Sequence, residues 1–248
     1  MSKPRLVLGA LCAFLCIAGA APAWAQPLPF TGLYIRGDAG ASWVKDADLH
    51  DKNFATDGII LGNAAGTAPG KLNDLGTGWL LGGGIGAQVA PAFRADVVYT
   101  YRGGYKLSDT DQGSPPAAFG AHAHSHSVMA NIYWDIPLTG FQPFVGGGIG
   151  WARNTMADVN ETVVGSPTFF LHGGDRDNFA WQLMAGVSFG LPGRINLDVF
   201  YRYFDGGDIE TKFGNVIQSG TIVGTYSGML GDLRAHEVVA SIRFPLGP

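Results

Sequence analysis

Beyond its first residues this chain contains no cysteine. Cys12 and Cys16 both lie in an N-terminal leader, which excludes a disulfide framework, thiol chemistry and thiolate metal ligands from the rest. Neither cysteine follows the small residue that a lipoprotein signal requires, since Leu11 and Leu15 stand there. Charge is also sparse: 15% of residues are Asp, Glu, Lys or Arg, and the formal net charge is −4. A chain this acidic offers no basic face to nucleic acid. It has no Pro/Ser-rich linker that would divide it into domains. Finally, it lacks a good spanning helix. Leu75 to Phe93 is free of charge and long enough, but six of its residues are glycine, each costing roughly 1 kcal/mol of helix propensity.

The leader sets the compartment. Lys3 and Arg5 precede an uncharged run from Leu6 to Ala23 that closes on "APAWA" ahead of Gln26. That order of charge, apolar run and small-residue site is a secretory signal, so residues 1–25 are expected to be removed and residues 26–248 to form one domain. Loss of Lys3 and Arg5 makes the exported chain more acidic still.

What is present in excess is glycine, 38 in all, placed inside apolar segments such as "GWLLGGGIGAQV" and "FVGGGIGWA" rather than in linkers. Read with period two, the chain predicts eight strands: 32–43, 77–89, 92–102, 124–136, 141–152, 178–190, 194–205 and 232–244. Their length suits the 9–11 tilted residues that cross a bilayer. The connections alternate between short ("AP", "PLTG", "LPG") and long polar stretches near 44–76, 103–123, 153–177 and 206–231, the pattern of an outer-membrane barrel. Phe169 and Phe170 are expected in one of these loops, within reach of another loop or a partner, and Asp175, Arg176 and Asp177 at a solvated strand entrance.

The faces of "FRADVVYTYRG" explain the choice. Phe93, Ala95, Val97, Tyr99 and Tyr101 share one side, and Arg94, Asp96 and Arg102 the other; "INLDVFYRYFDGG" repeats the alternation with Asp198 and Arg202. A soluble sandwich would leave the polar side wet, whereas a membrane barrel turns it inward and gives the apolar and aromatic side to lipid. The segment Trp79 to Tyr101 aligns with Trp181 to Tyr203, and "HSVMANIYWDIPL" with "HEVVASIRFPL". Two four-stranded halves make an even-numbered closed sheet without the unpaired edges that lipid penalises.

The segments "GLYIRGDAGAS", "FQPFVGGGIGWA", "RINLDVFYRYFD" and "HEVVASIRF", in this order, resemble the small eight-stranded outer-membrane barrels of Gram-negative bacteria, in particular the opacity-protein and Omp25-like porin family. The resemblance covers nearly the whole chain after the leader. It implies an all-β, eight-stranded antiparallel up-and-down transmembrane β-barrel in the cell outer membrane, with variable surface loops on a scaffold and no single biochemical activity. It also implies partners: outer-membrane lipid and lipopolysaccharide, the barrel-assembly machinery through the C-terminal strand, and a surface partner through the loops. Chains of this family usually end on an aromatic residue, whereas here Phe244 is followed by Pro245, Leu246, Gly247 and Pro248.

The candidate site is the interior. Arg36, Arg94, Arg102, Arg194, Arg202 and Arg243 are expected to face inward against Asp38, Asp96, Asp135, Asp198 and Glu237. An eight-stranded barrel is only about wide enough for its own side chains, so these charges should pair across the lumen; the alternative is a narrow passive pore for ions or small solutes. His122, His124 and His126 would project from one side of a strand and form the sole, weak metal candidate. No cofactor is expected. No enzyme is expected either: a barrel acyl hydrolase of the His-x-Ser kind would need serine two residues after a histidine, and His124 has His126 there, His126 has Val128. Arg234 and His236 are expected on the outward face near the outer rim, within reach of lipopolysaccharide phosphates. The reading is an outer-membrane barrel with a structural and surface-interaction role, long extracellular loops and a charge-filled lumen.

Overall fold

A strand that is apolar on one face and charged on the other can hide its charges only if the sheet curls until the charged face is enclosed. The eight long strands of this chain do so. The computed structural model describes residues 31–52, 72–111, 117–138, 141–163, 168–218 and 221–247; the expected signal segment lies outside them.

The wall of the barrel is built from β1 (Thr31–Asp51), β2 (Leu72–Ala90), β3 (Phe93–Asp111), β4 (Ala117–Asp135), β5 (Gln142–Met156), β8 (Gly174–Gly190), β9 (Asn196–Glu210) and β12 (Met229–Leu246). Each pairs antiparallel with the next, and β12 pairs back onto β1 in a ladder that begins at Leu33↔Leu246 and runs through Trp43↔His236. The sheet is therefore closed, which satisfies the backbone without water. The aligned halves of the sequence become β1–β4 and β5, β8, β9, β12, so equivalent residues stand four strands apart around the ring.

The strands run further than period two alone suggests. β1 continues to Asp51 and β3 to Asp111, where long loops were expected, because an antiparallel ladder keeps its hydrogen bonds after the strands leave lipid. Two further pairs, β6 (Val159–Val163) with β7 (Thr168–Leu171) and β10 (Gly214–Gln218) with β11 (Thr221–Tyr226), extend the sheet from β4 in the order β4-β6-β7-β10-β11. Phe169 and Phe170 lie on β7, whose backbone pairs with β10 from the next connection. At the other end the links are tight, including a 3₁₀ turn at Pro192–Arg194 in which Gly193 takes φ 80° and Arg194 φ 65°.

The outer face is apolar. Leu81, Ile85, Ile132, Ile149 and Leu183 are all more than half exposed, a continuous belt that a soluble protein would not present to water.

Candidate functional site: the barrel interior

Every second residue of a strand points inward, so the interior is assembled from all eight strands at once. Among the described residues the buried charges are five arginines (Arg36, Arg94, Arg102, Arg202, Arg243) and five carboxylates (Asp38, Asp96, Asp135, Asp198, Glu237). Arg194 does not join them. It sits exposed in the 3₁₀ turn, its guanidinium 3.4 Å from the carbonyl of Gly247. The tight turn after Gly193 interrupts the alternation that would have carried it inward, and the expected six-to-five excess becomes an even balance.

The charges lie in three levels. Nearest the short turns, Arg94 donates to Asp135 (2.9 Å) and Asp198 (3.1 Å), and Arg243 donates to Asp198 (2.8 and 3.0 Å) and to Ser188 (2.8 Å). The Arg94 guanidinium also lies 4.4 Å from the ring centre of Tyr133 and 4.6 Å from that of Phe144, which stabilises a cation that has left water. In the middle, Arg36 bridges Asp38 (2.9 Å) and Asp96 (2.8 Å). Asp96 accepts further bonds from Tyr34, Tyr133 and Asn131, and Gln182 donates to Asn131 at 2.6 Å.

The third level centres on Glu237. It accepts from Arg102 at 2.6 Å, from Arg202 and from Ser42, and Tyr105 shares a 2.6 Å hydrogen bond with Ser42. Arg102 lies 3.5 Å over the ring of Phe204. Bidentate and multiply bonded arginines of this kind hold their carboxylates in one geometry.

Towards the long connections the interior changes character. Val44, Leu75, Met156, Ile209, Met229 and Leu233 form one buried apolar cluster, none more than 1% exposed. The sequence predicts a lumen filled by paired charges; the structure adds an apolar layer over them. Tyr34, Ser42, Asn131, Tyr133 and Gln182 are among the polar interior residues the charge pattern missed. Tyr34, Ser42, Asn131 and Tyr133 share parity with Arg36 or Asp135 on their strands, a signal that was available.

The histidines face the other way. His122, His124 and His126 alternate with Ala123, Ser125 and Ser127, which are buried inside. The rings of His124 and His126 lie 5.6 Å apart and pack against Tyr101. Among the described residues no three His, Cys, Asp or Glu side chains converge as a metal-holding group. Arg234 is exposed and His236 half-buried on the outward face.

A closed eight-stranded antiparallel sheet, apolar outside and filled with paired charges inside, defines a transmembrane barrel. The chain belongs to the outer membrane protein beta-barrel domain family, whose model matches residues 8–223. It is 28% identical over 220 residues to the outer membrane protein PagN of Salmonella typhimurium, covering 79% of this chain and 84% of that protein. It is 40% identical over 134 residues to an uncharacterised protein of Brucella abortus, covering 48% and 46%. The crystal structure of Neisserial surface protein A superposes with a TM-score of 0.48 at 16% identity, covering 86% of this chain and 97% of that one. The protein is thus an outer-membrane barrel of the Gram-negative envelope, embedded in its lipid.

Beyond the membrane-crossing part of β9, an ion-pair cluster ties strands together. Glu210 is 3.0 Å from Lys52 and 2.7 Å from Arg176, which also reaches Asp208 at 2.9 Å. Partial burial pushes the Glu210 carboxyl up, but hydrogen bonds from Lys52 and Arg176 outweigh it and hold it below the usual carboxylate range. A depressed pKa contributes stability that is present above the unfolded value and lost as pH falls through the folded one. Amide exchange at residues 208–212 is therefore expected to speed up, relative to intrinsic rates, as pH falls below about 4. Glu210→Gln should already exchange fast at pH 7 and show no step.

Proposed function

We propose that this barrel is a closed, non-conducting scaffold that contributes to envelope integrity and to surface contact. Its short turns, the start of β1 and the end of β12 lie on the periplasmic side, and its extended strands and long connections project outside. Residues 1–25 direct export, and β12 is the strand offered to the barrel-assembly machinery. The observation that carries this reading is the occupation of the lumen by five arginines and five carboxylates, ion-paired within three levels and balanced in total, with the apolar cluster of Val44, Leu75, Ile209 and Leu233 above them. An ion crossing it would have to displace paired charges and then enter an apolar layer, and both steps are costly.

Surface contact is assigned to the sheet β4-β6-β7-β10-β11, since loops on a rigid scaffold are where such proteins vary and bind. An acyl-hydrolase reading gains nothing from β4, where Ser125 and Ser127 point inward and His124 and His126 outward, so base and nucleophile stand on opposite faces. The purified full chain in a planar bilayer should show little or no stable conductance. A reproducible open channel whose ion preference reverses when Arg36, Arg94 and Arg102 are replaced would make the lumen a solute path instead.

A further inference from the structure

Charge balances over the whole lumen but not within its levels. Among the described residues, the level nearest the short turns sets Arg94 and Arg243 against Asp135 and Asp198, the middle level sets Arg36 alone against Asp38 and Asp96, and the third sets Arg102 and Arg202 against Glu237 alone. The middle level therefore carries one negative charge too many. Four residues along β12 separate Ser241, which faces Asp38, from Glu237, which holds Arg202, a span of about 13 Å at the usual strand rise. The extra guanidinium of the third level is too remote to serve as the missing partner.

The excess charge has a definite place. Six buried polar side-chain atoms among the described residues have no hydrogen-bond partner, and two of them, Asp38 Oδ2 and Ser241 Oγ, belong to residues directly opposite each other in the β1–β12 ladder. Asp38 Oδ1 accepts from Arg36 at 2.9 Å. Opposed side chains on one face of a ladder have Cβ atoms about 4.5–5.5 Å apart, yet these two oxygens make no bond, so they border a gap that direct hydrogen bonding does not close. On the other flank, Gly82 faces Asp38 across the β1–β2 ladder and Thr100 across the β2–β3 ladder. A Cβ added to Gly82 would stand 3.2 Å from Thr100 Oγ1 and 3.5 Å from the Asp38 Cβ. The absent side chain thus brings the Thr100 hydroxyl to the side of Asp38. Asp38, Thr100 and Ser241 are each no more than 4% exposed.

We propose that Asp38, Ser241 and Thr100 hold a monovalent alkali cation that completes the charge of the middle level. The donors are one carboxylate oxygen and two hydroxyl oxygens, hard ligands that suit an alkali or alkaline-earth ion rather than a soft metal. One unit of charge is missing, so a monovalent ion balances the level where a divalent one would leave it positive beside Arg36. A buried water would satisfy the same oxygens without neutralising the carboxylate, and a buried charge without a counter-charge is costly. The cation is a structural part of the interior network, and the inference holds whether or not the lumen conducts.

Refolding of the full chain from urea into detergent, in sodium chloride or in choline chloride of equal ionic strength, tests it. The gel-shift temperature should be about 2–4 °C higher in sodium, and the gain should saturate as sodium replaces choline. Asp38→Asn should abolish the difference. Ser241→Ala and Thr100→Val should each reduce it, while the Ser241→Ala transition in choline stays level or rises, because that variant removes a hydroxyl that has no partner there. Glu210→Gln, outside the membrane-crossing wall, should keep the full sodium effect. If Asp38→Asn fails to fold, the two hydroxyl variants decide the matter, and bilayer conductance of the same preparations reads the lumen separately. Equal transitions of the parent in sodium and choline, a sodium effect undiminished in both hydroxyl variants, or stabilisation by magnesium but not sodium that Asp38→Asn removes would each overturn the proposal.

Discussion

Glu237→Ala should be the most damaging single substitution in the lumen. The Glu237 carboxylate is fully buried and is shared by Arg102 and Arg202, so its removal strands two guanidinium groups rather than one. Breaking a buried pair costs about 3–5 kcal/mol because the remaining charge has no partner and no water. Arg102 keeps Ser127 at 2.7 Å and the face of Phe204, neither of which neutralises it. The temperature at which the folded band shifts to the unfolded position on a gel should fall steeply, with conductance still small because the apolar cluster is intact. A compensated variant separates charge from packing. Glu237→Leu combined with Arg102→Met and Arg202→Met should recover most of the loss, since apolar replacement of a whole buried ion triad is often neutral or stabilising. If Glu237→Ala left the transition temperature unchanged, the pairing would carry no stability.

Gly186→Ala should damage assembly, whereas Gly190→Ala on the same strand should not. Gly186 stands opposite Phe200 in the β8–β9 ladder. A Cβ added there would meet the Cβ of Phe200, the carbonyl oxygen of Val199 at 2.5 Å and the Cα of Phe200 at 2.7 Å. These are backbone and near-backbone atoms of a paired strand, and Phe200 is itself wedged against Phe144 with ring centres 5.8 Å apart. The neighbour cannot give way without parting the ladder, so the cost should be at least the roughly 1–3 kcal/mol of an overpacked core. Gly190 has nothing within 4 Å of an added Cβ. Folding yield into detergent and the gel-shift temperature should fall for the first variant and stay level for the second.

These two residues also separate what could be read in one dimension from what could not. Glu237 was legible. Its strand alternates without interruption from Leu233 to Phe244, and the charges at Glu237 and Arg243 fall on one parity. The same holds for Arg94, Asp96 and Arg102 on β3. A closed sheet follows because apolar residues on the opposite parity leave the charges nowhere but inside. Period, strand length and the spacing of turns therefore determined the eight-stranded barrel, the identity of ten interior charges and the outward course of Arg234 and His236. Gly186 was not legible: glycine was visible in the strands, but which glycine abuts a partner's backbone depends on cross-strand register.

The apolar layer depended on the tertiary structure for a sharper reason. On β3 strict alternation from Arg102 would turn Tyr105 outward. The ladder slips between Arg102 and Tyr105, Gly104 takes φ 84°, and Tyr105 comes inside, fully buried. On β9 the positive φ of Gly207 falls between Phe204 and Ile209, residues of opposite parity that are both buried inside. A bulge adds one residue to one strand and so reverses every side chain beyond it. The sequence by itself determined the membrane-crossing wall and its charges, because a two-residue period survives unbroken over ten residues. Only the tertiary structure decided how the barrel is capped and that Arg194 is left outside, because a bulge or a tight turn resets that period and its place is settled by the strand alongside.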